Sequence, residues 1–275
     1  MAALELLSPA KLNLFLHITG RRADGLHELQ TVFQLLDWGD SLHFSTDTSG
    51  EVRLSGDDLG LAHEDNLITR AATLLQSGTL GATIHIRKRI PAGGGLGGGS
   101  SNAATTLLAL NRLWRRNLGP SELIALGGSL GADVPVFVAG HSAWAEGTGD
   151  ILTPLELPPR WYLIVVPDCH VSTAEIFSHR QLTRNSTHIK IPAFFQGYSR
   201  NDCQPLVRRL HPEVDKVLRS LEELGEARLT GTGASVFVGY DSAEQAEEAR
   251  SRLPIEWQCI VARGVNRSPV TAALA

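Results

Sequence analysis

Six glycines fall in the seven positions from Gly93 to Gly99, interrupted only by Leu96; Pro91-Ala92 precedes them and Ser100-Ser101-Asn102 follows. Glycine permits positive φ and lets a bulky ligand approach amide N–H groups that a side chain would shield. A helix opening at Ser101 or Asn102 adds unpaired N–H groups and the positive end of its dipole, so a phosphate is the natural occupant. A Cβ at Gly95 or Gly98 would then stand in the path of the phosphates. Ser100 and Ser101 can cap the helix, bind phosphate or ligate Mg²⁺. No lysine follows the glycines, which excludes a P-loop. Gly93-x-Gly95-x-x-Gly98 matches the dinucleotide fingerprint, a pattern that a run so rich in glycine meets cheaply, and Arg115 and Arg116 keep an NADP reading open.

Two charged residues far from this loop could act on what it holds. Lys11 and Asn13 lie two apart in an alternating run, with Leu12, Leu14, Leu16 and Ile18 on one side and Lys11, Asn13, Phe15 and His17 on the other. That is the period of a half-buried strand, and it points Lys11 and Asn13 the same way. Asp133 stands between Gly131 and Pro135, in a setting that suits a fixed loop. It can serve as an N-cap or turn residue, or as an acceptor for a hydroxyl proton.

Composition narrows the options. The 275 residues suggest about two domains, and 43% hydrophobic content supplies real cores. With 25 basic against 29 acidic residues and a net charge of -4, no overall positive field exists to hold nucleic acid or an anionic membrane. The longest apolar run, Trp161 to Val166, is too short to span a bilayer, and the first residues lack the basic start of a signal peptide. Cys169, Cys203 and Cys259 are odd in number and form no C-x-x-C pair, which argues against disulfides or zinc and fits the cytoplasm.

The elements that must position these residues read as follows. Asp24-Gly25 turns the first strand into a second alternating run, Leu29 to Leu35, with short strands near Leu42 to Phe44 and Val52 to Leu54. Asp65 or Asn66 caps a helix to about Gln76; a strand from Thr83 to Arg89 leads into the glycine loop and its helix, to about Arg116. A helix from Ser121, the Asp133 loop and a strand near Val136 to Ala139 follow. After Pro158-Pro159 come a strand at Trp161 to Val166, a helix from Pro212 to Leu224, the loop Thr230 to Ala234, a strand from Ser235 to Tyr240, a helix from Ser242 to Arg252, and a strand from Gln258 to Val261. This order suggests a split βαβ sandwich. Residues 178–200 show little periodicity and read as the mobile connection.

The glycine run resembles the P-x-G-G-G-L-G-G-G-S-S motif of the galactokinase, homoserine kinase, mevalonate kinase and phosphomevalonate kinase superfamily. Ser8-Pro9-Ala10-Lys11-Leu12-Asn13-Leu14, Arg22-Ala23-Asp24-Gly25, Gly131-Ala132-Asp133-Val134-Pro135 and Leu229-Thr230-Gly231-Thr232-Gly233-Ala234 match in the superfamily's order. Within it, the chain is similar to the branch that phosphorylates a cytidine-diphosphate-linked sugar alcohol. The resemblance implies an α+β, two-domain fold: a mixed α/β domain over 1–155 that binds ATP, and a ferredoxin-like split βαβ domain over 156–275 on the substrate side. It implies ATP at Pro91, Gly93, Gly94, Gly95, Leu96, Gly97, Gly98, Gly99, Ser100 and Ser101, with Asn66 and Lys88 at the adenosine and Mg²⁺ on the phosphates. It also implies Asp133 as base, Lys11 as the cation beside it, and Asn13, His27, Phe177, Gly231, Thr232 and Gly233 at the substrate. His27 would contact the cytosine and Phe177 stack on it. Leu26 stands where the family often carries an aromatic residue on the other face of that base.

Overall fold

The computed structural model describes residues 3–57, 65–197 and 199–275. It opens with two long antiparallel strands, β1 (Ala3–Arg21) and β2 (His27–Asp47), joined at the Asp24-Gly25 turn. Then come β3 (Val52–Gly56), α1 (Leu67–Leu75), β4 (Gly81–Arg87), α2 (Gly98–Leu113), α3 (Pro120–Leu130) and α4 (Val134–Ala139). A small hairpin, β5 (Ala143–Glu146) and β6 (Ile151–Pro154), closes the first half. The second half runs β7 (Trp161–Val166), α5 (Thr173–Ser178), α6 (Ile191–Phe195), α7 (Gln204–Leu210), α8 (Pro212–Glu222), β8 (Arg228–Leu229), β9 (Val236–Tyr240), α9 (Ala243–Ser251), β10 (Gln258–Val265) and α10 (Pro269–Leu274).

The fold is α+β, as the residue pattern predicts. Strands β10, β7, β9 and β8 lie side by side in that order, all antiparallel, with α8 and α9 on the crossovers. This is the split βαβ arrangement. The last residues of β10 also pair with β2, Gly264 opposite Leu36 and Val265 opposite Leu35, so the two halves share one continuous ten-stranded sheet. One core lies under α1 to α4; a second lies under α7 to α9 and receives Leu16 and Ile18 from β1; a third joins Leu12 and Phe15 to Ile164 and Phe237. Among the described residues, no helix is long and apolar enough to cross a membrane.

Four expectations from the sequence are corrected. β1 is buried on both faces, because it runs between cores, and a register shift between Asn13 and Leu16 turns Leu14 and Phe15 into the same one. No break separates the second strand from Leu42 to Phe44; β2 continues through Gly39, where a Cβ would stand 1.9 Å from the Ser8 carbonyl oxygen. Val136 to Ala139 is helix, not strand. Its β-branched residues favour a strand, but Pro135 suits a helix start, Gly140 ends it in the left-handed conformation, and the buried turn packs against α2 and α3. The described residues of 178–200 hold little regular structure beyond α6 yet are pinned: Ser186 N–H donates to the Ile18 carbonyl and Ile189 N–H to Gln30 Oε1.

His17 pays for the burial of β1. It is 6% exposed, and neither ring nitrogen has a hydrogen-bond partner among the described residues. Burial pushes its pKa below the usual histidine value, against the pull of Asp202 and with a smaller push from Arg200. The folded ring stays neutral where the unfolded one takes a proton, so stability is lost as pH falls below about 6.5. The urea midpoint should therefore drop between about pH 7.5 and pH 5 more in the native chain than in His17→Phe; equal drops would clear His17 of this role.

Candidate active site

The glycine loop starts where β4 ends, and one buried carboxylate sets that exit. Asp40 on β2 is fully buried; its Oδ1 accepts from the amides of Arg89 at 2.7 Å and Ile90 at 2.8 Å, and its Oδ2 from Lys88 Nζ at 2.5 Å and Asn102 Nδ2 at 3.0 Å. A buried carboxylate holds its place when its lone pairs are filled in this way.

Beyond that anchor, the loop spends its carbonyl groups on the protein. Gly93 O accepts from the Ala234 amide and Gly94 O from that of Ser235; Gly95 O accepts from Thr230 Oγ1, and Leu96 O from the Lys11 amide at 3.0 Å. The amides of Gly93 to Gly97 donate to no acceptor among the described residues. Helix α2 begins at Gly98 rather than at Ser101, with Gly97 as a left-handed N-cap (φ 75°) that has no side chain to cap the first turn. Main chain with its carbonyls turned away and its amides free forms an anion-binding concavity.

The glycines are needed for a second reason. A Cβ at Gly95 (φ 74°) would lie 2.4 Å from Thr230 O, at Gly97 2.9 Å from Phe137, and at Gly98 2.9 Å from Ile90. At Gly95 a Cβ meets the neighbouring loop before any ligand is considered, a constraint the sequence did not show. Ser101 is buried, its Oγ 2.8 Å from Ser8 Oγ, which also accepts from Thr105; that ties the Ser-Pro-Ala start of the first motif to α2 and leaves Ser100 as the serine that opens on the cleft.

Lys11 and Asp133 meet beside this loop. Lys11 Nζ is 3.1 Å from Asp133 Oδ2 and donates to Asn13 Oδ1 at 2.6 Å; its side chain is 4% exposed, that of Asp133 35%. Asp133 occupies the N-cap position of α4 but makes no capping hydrogen bond, so its carboxylate is committed to Lys11 and the cleft. Asn13 is fixed in turn: Nδ2 donates to Thr31 Oγ1, and its amide donates to Thr230 Oγ1 from the second half. The ammonium also sits 5.4 Å from the Phe33 ring centroid.

A cleft of about 840 Å³ joins these groups, lined by Lys11, Asn13, Gly95, Gly97, Ser100 and Asp133 at one end and by His27 and Phe177 at the other, with Gly231 and Thr232 between. Gly93 and Gly94 border a second cavity, with His170 and Trp257, and Pro91, Leu96, Gly99 and Gly233 do not line the cleft. His27 and Phe177 are stacked, centroids 5.0 Å apart at 29°. A base between them needs roughly 7 Å, two contact distances of about 3.5 Å, so the two rings are neighbours and not opposite jaws. Burial, with Arg184 and Arg21 adding to it, holds the His27 pKa below the usual value. Leu26 is 54% exposed at the rim.

The GHMP kinases N terminal domain family matches residues 66–141, and the GHMP kinases C terminal family matches residues 189–259. A protein of Pseudomonas paraeruginosa named 4-diphosphocytidyl-2-C-methyl-D-erythritol kinase is 54% identical over 96% of this chain and 95% of its own. One of the same name from Hahella chejuensis is 50% identical over 97% and 95%. The chain belongs to the 4-diphosphocytidyl-2-C-methyl-D-erythritol kinase family. A crystal structure of a 4-(cytidine 5'-diphospho)-2C-methyl-D-erythritol kinase superposes with a TM-score of 0.82 at 33% identity, over 95% of this chain and all of the other. The Methanococcus jannaschii mevalonate kinase, at 17% identity and a TM-score of 0.67, shares the fold.

Against that family background, Asn66 and Lys88 have structural duties as well. Asn66 Oδ1 caps α1 through the Ile68 amide, and Lys88 is paired with Asp40. Both still border the start of α2: a Cβ on Gly99 would contact Leu67, next to Asn66, and one on Gly98 would lie 3.4 Å from Lys88 Nζ. The sequence reading missed Asp40, Thr31, Arg184 and the tip Thr148 to Asp150, which lines the cleft. Gly147-Thr148-Gly149-Asp150 carried a turn signal; Arg184 carried none.

Gly95→Ala should destabilise the chain by about 2–5 kcal/mol without any ligand, the sum of a left-handed alanine and an overpacked contact. An unchanged unfolding midpoint in nucleotide-free protein would show that the loops do not need that contact.

Proposed function

We propose that this chain uses ATP to phosphorylate the 2-hydroxyl of 4-diphosphocytidyl-2-C-methyl-D-erythritol in non-mevalonate isoprenoid precursor formation, with Lys11 and Asp133 as its catalytic residues. The observation that carries the residue assignment is the 3.1 Å Lys11–Asp133 pair on the cleft wall, beside main-chain amides that have no protein partner.

Phosphoryl transfer asks the protein for in-line positioning, compensation of spreading negative charge and removal of the alcohol proton. The amides from Gly93 to Gly99 receive the phosphates, and Asn66 and Lys88 flank the adenosine. The Asp133 carboxylate accepts the proton of the substrate hydroxyl. Lys11, aimed by Asn13, keeps that carboxylate in place and offsets charge on the transferring group. No group of three or more His, Cys, Asp or Glu side chains among the described residues could hold a metal. Mg²⁺ carried on the ATP phosphates would neutralise their charge, and the Ser100 hydroxyl is the loop group that could ligate it. His27 and Phe177 receive the cytosine on an outer face of their stack, Gly231 and Thr232 line the path between base and phosphate, and Gly233 supports the turn that carries them.

This reading divides the chain near residue 155, with ATP on the first domain and the second closing the substrate side. It places the enzyme in the cytoplasm, where free Cys169, Cys203 and Cys259 stay reduced. Asp133→Asn should lower kcat by roughly 10²–10⁴ while leaving ATP affinity in place, the span usual for a general base. Steady-state turnover with the cytidyl substrate, beside a nucleotide titration, checks both halves; near-native kcat removes Asp133 from the chemistry.

A further inference from the structure

Arg184 lies in the irregular stretch after α5, yet four of the five N–H groups of its guanidinium are bonded to protein. Nε donates to His27 Nε2 at 2.9 Å, Nη2 donates to the carbonyls of Phe177 at 2.7 Å and His179 at 2.8 Å, and Nη1 donates to that of Leu182 at 3.2 Å. These four bonds tie one side chain to the His27 ring and to the backbone of Phe177, the two residues stacked at the end of the cleft. A guanidinium has donors and no acceptor, so Nε2 of His27 must be the acceptor in the bond between them. A neutral imidazole that accepts at Nε2 carries its hydrogen on Nδ1. Among the described residues, Nδ1 has no hydrogen-bond partner.

We propose that Arg184 is a positioning residue that holds His27 as the Nδ1–H tautomer, so that the ring offers the cleft one donor and favours cytosine, whose N3 is an acceptor, over uracil, whose N3 carries a hydrogen. The proposal rests on the cytidyl reading of the substrate given above. Without the guanidinium the ring is free to move its hydrogen to Nε2 and turn an acceptor toward the base, and a donor–acceptor mismatch in a closed site is how such sites reject the wrong ligand.

Long-range ¹H–¹⁵N correlation on the full-length chain labelled at histidine reads the tautomer directly, with His27 assigned by the signal lost in His27→Gln. An Nδ1–H ring in the unsubstituted protein is expected, and an Nε2–H ring overturns the proposal without recourse to any variant of Arg184. In Arg184→Met the tautomer should change, KM for the cytidyl substrate should rise about tenfold, the worth of one hydrogen bond, and the preference over the uridyl analogue should fall by a similar factor. kcat and the KM for ATP should stay within about twofold. An unchanged preference, or a fall in kcat with both KM values shifted together, overturns it. If the unsubstituted chain turned over no cytidyl substrate at all, the functional reading would fail, and the nitrogen spectra would still decide what Arg184 does to the ring.

Discussion

The carbonyl oxygens of the glycine loop are what both halves of the molecule hold. Leu96 O is taken by the Lys11 amide on β1, while Gly93, Gly94 and Gly95 are taken by Ala234, Ser235 and Thr230 of the second half. Once those oxygens are turned toward protein, planarity of the peptide bond turns the amides the other way. The same bonds that fasten the two halves together thus leave a concavity of free amides, and the glycines serve both the close approach and the turn.

The charged pair depends on that fastening. Lys11 is held close to Asp133 by Asn13, whose own amide is bonded to Thr230, one residue before the second glycine turn. An ammonium this deeply buried is costly unless it is paired and hydrogen-bonded, and here it has a carboxylate, an amide oxygen and an aromatic face. The arrangement leaves Asp133 as the member of the pair that opens to the cleft, and that openness gives a hydroxyl access to it.

Much of this was legible in the sequence, because it was written in local rules. The two-residue spacing of Lys11 and Asn13 placed them on one face of a strand; Asp65 or Asn66 announced a helix cap, and Asn66 supplies it; the order of strands and helices after Trp161 gave the split βαβ half. The failures came where distant packing overrode a local signal. Val136 to Ala139 has the composition of a strand but is wrapped as a turn of helix by its neighbours, and the glycines of α2 look like loop yet form its first turn. Arg184 was invisible for a different reason: a lone arginine in an aperiodic stretch gives no hint that it will reach a histidine 157 positions earlier in the chain.

The bonds between Gly93–Gly95 and Thr230–Ser235 also impose an order on synthesis. A ribosome releases Lys11, the glycine run and Asp133 well before it makes Ser235, so the emerging first half owns every group assigned to the chemistry but not the clamp that shapes their cradle. A growing chain of this kind lacks the clamp on the glycine loop until Ser235 has been made.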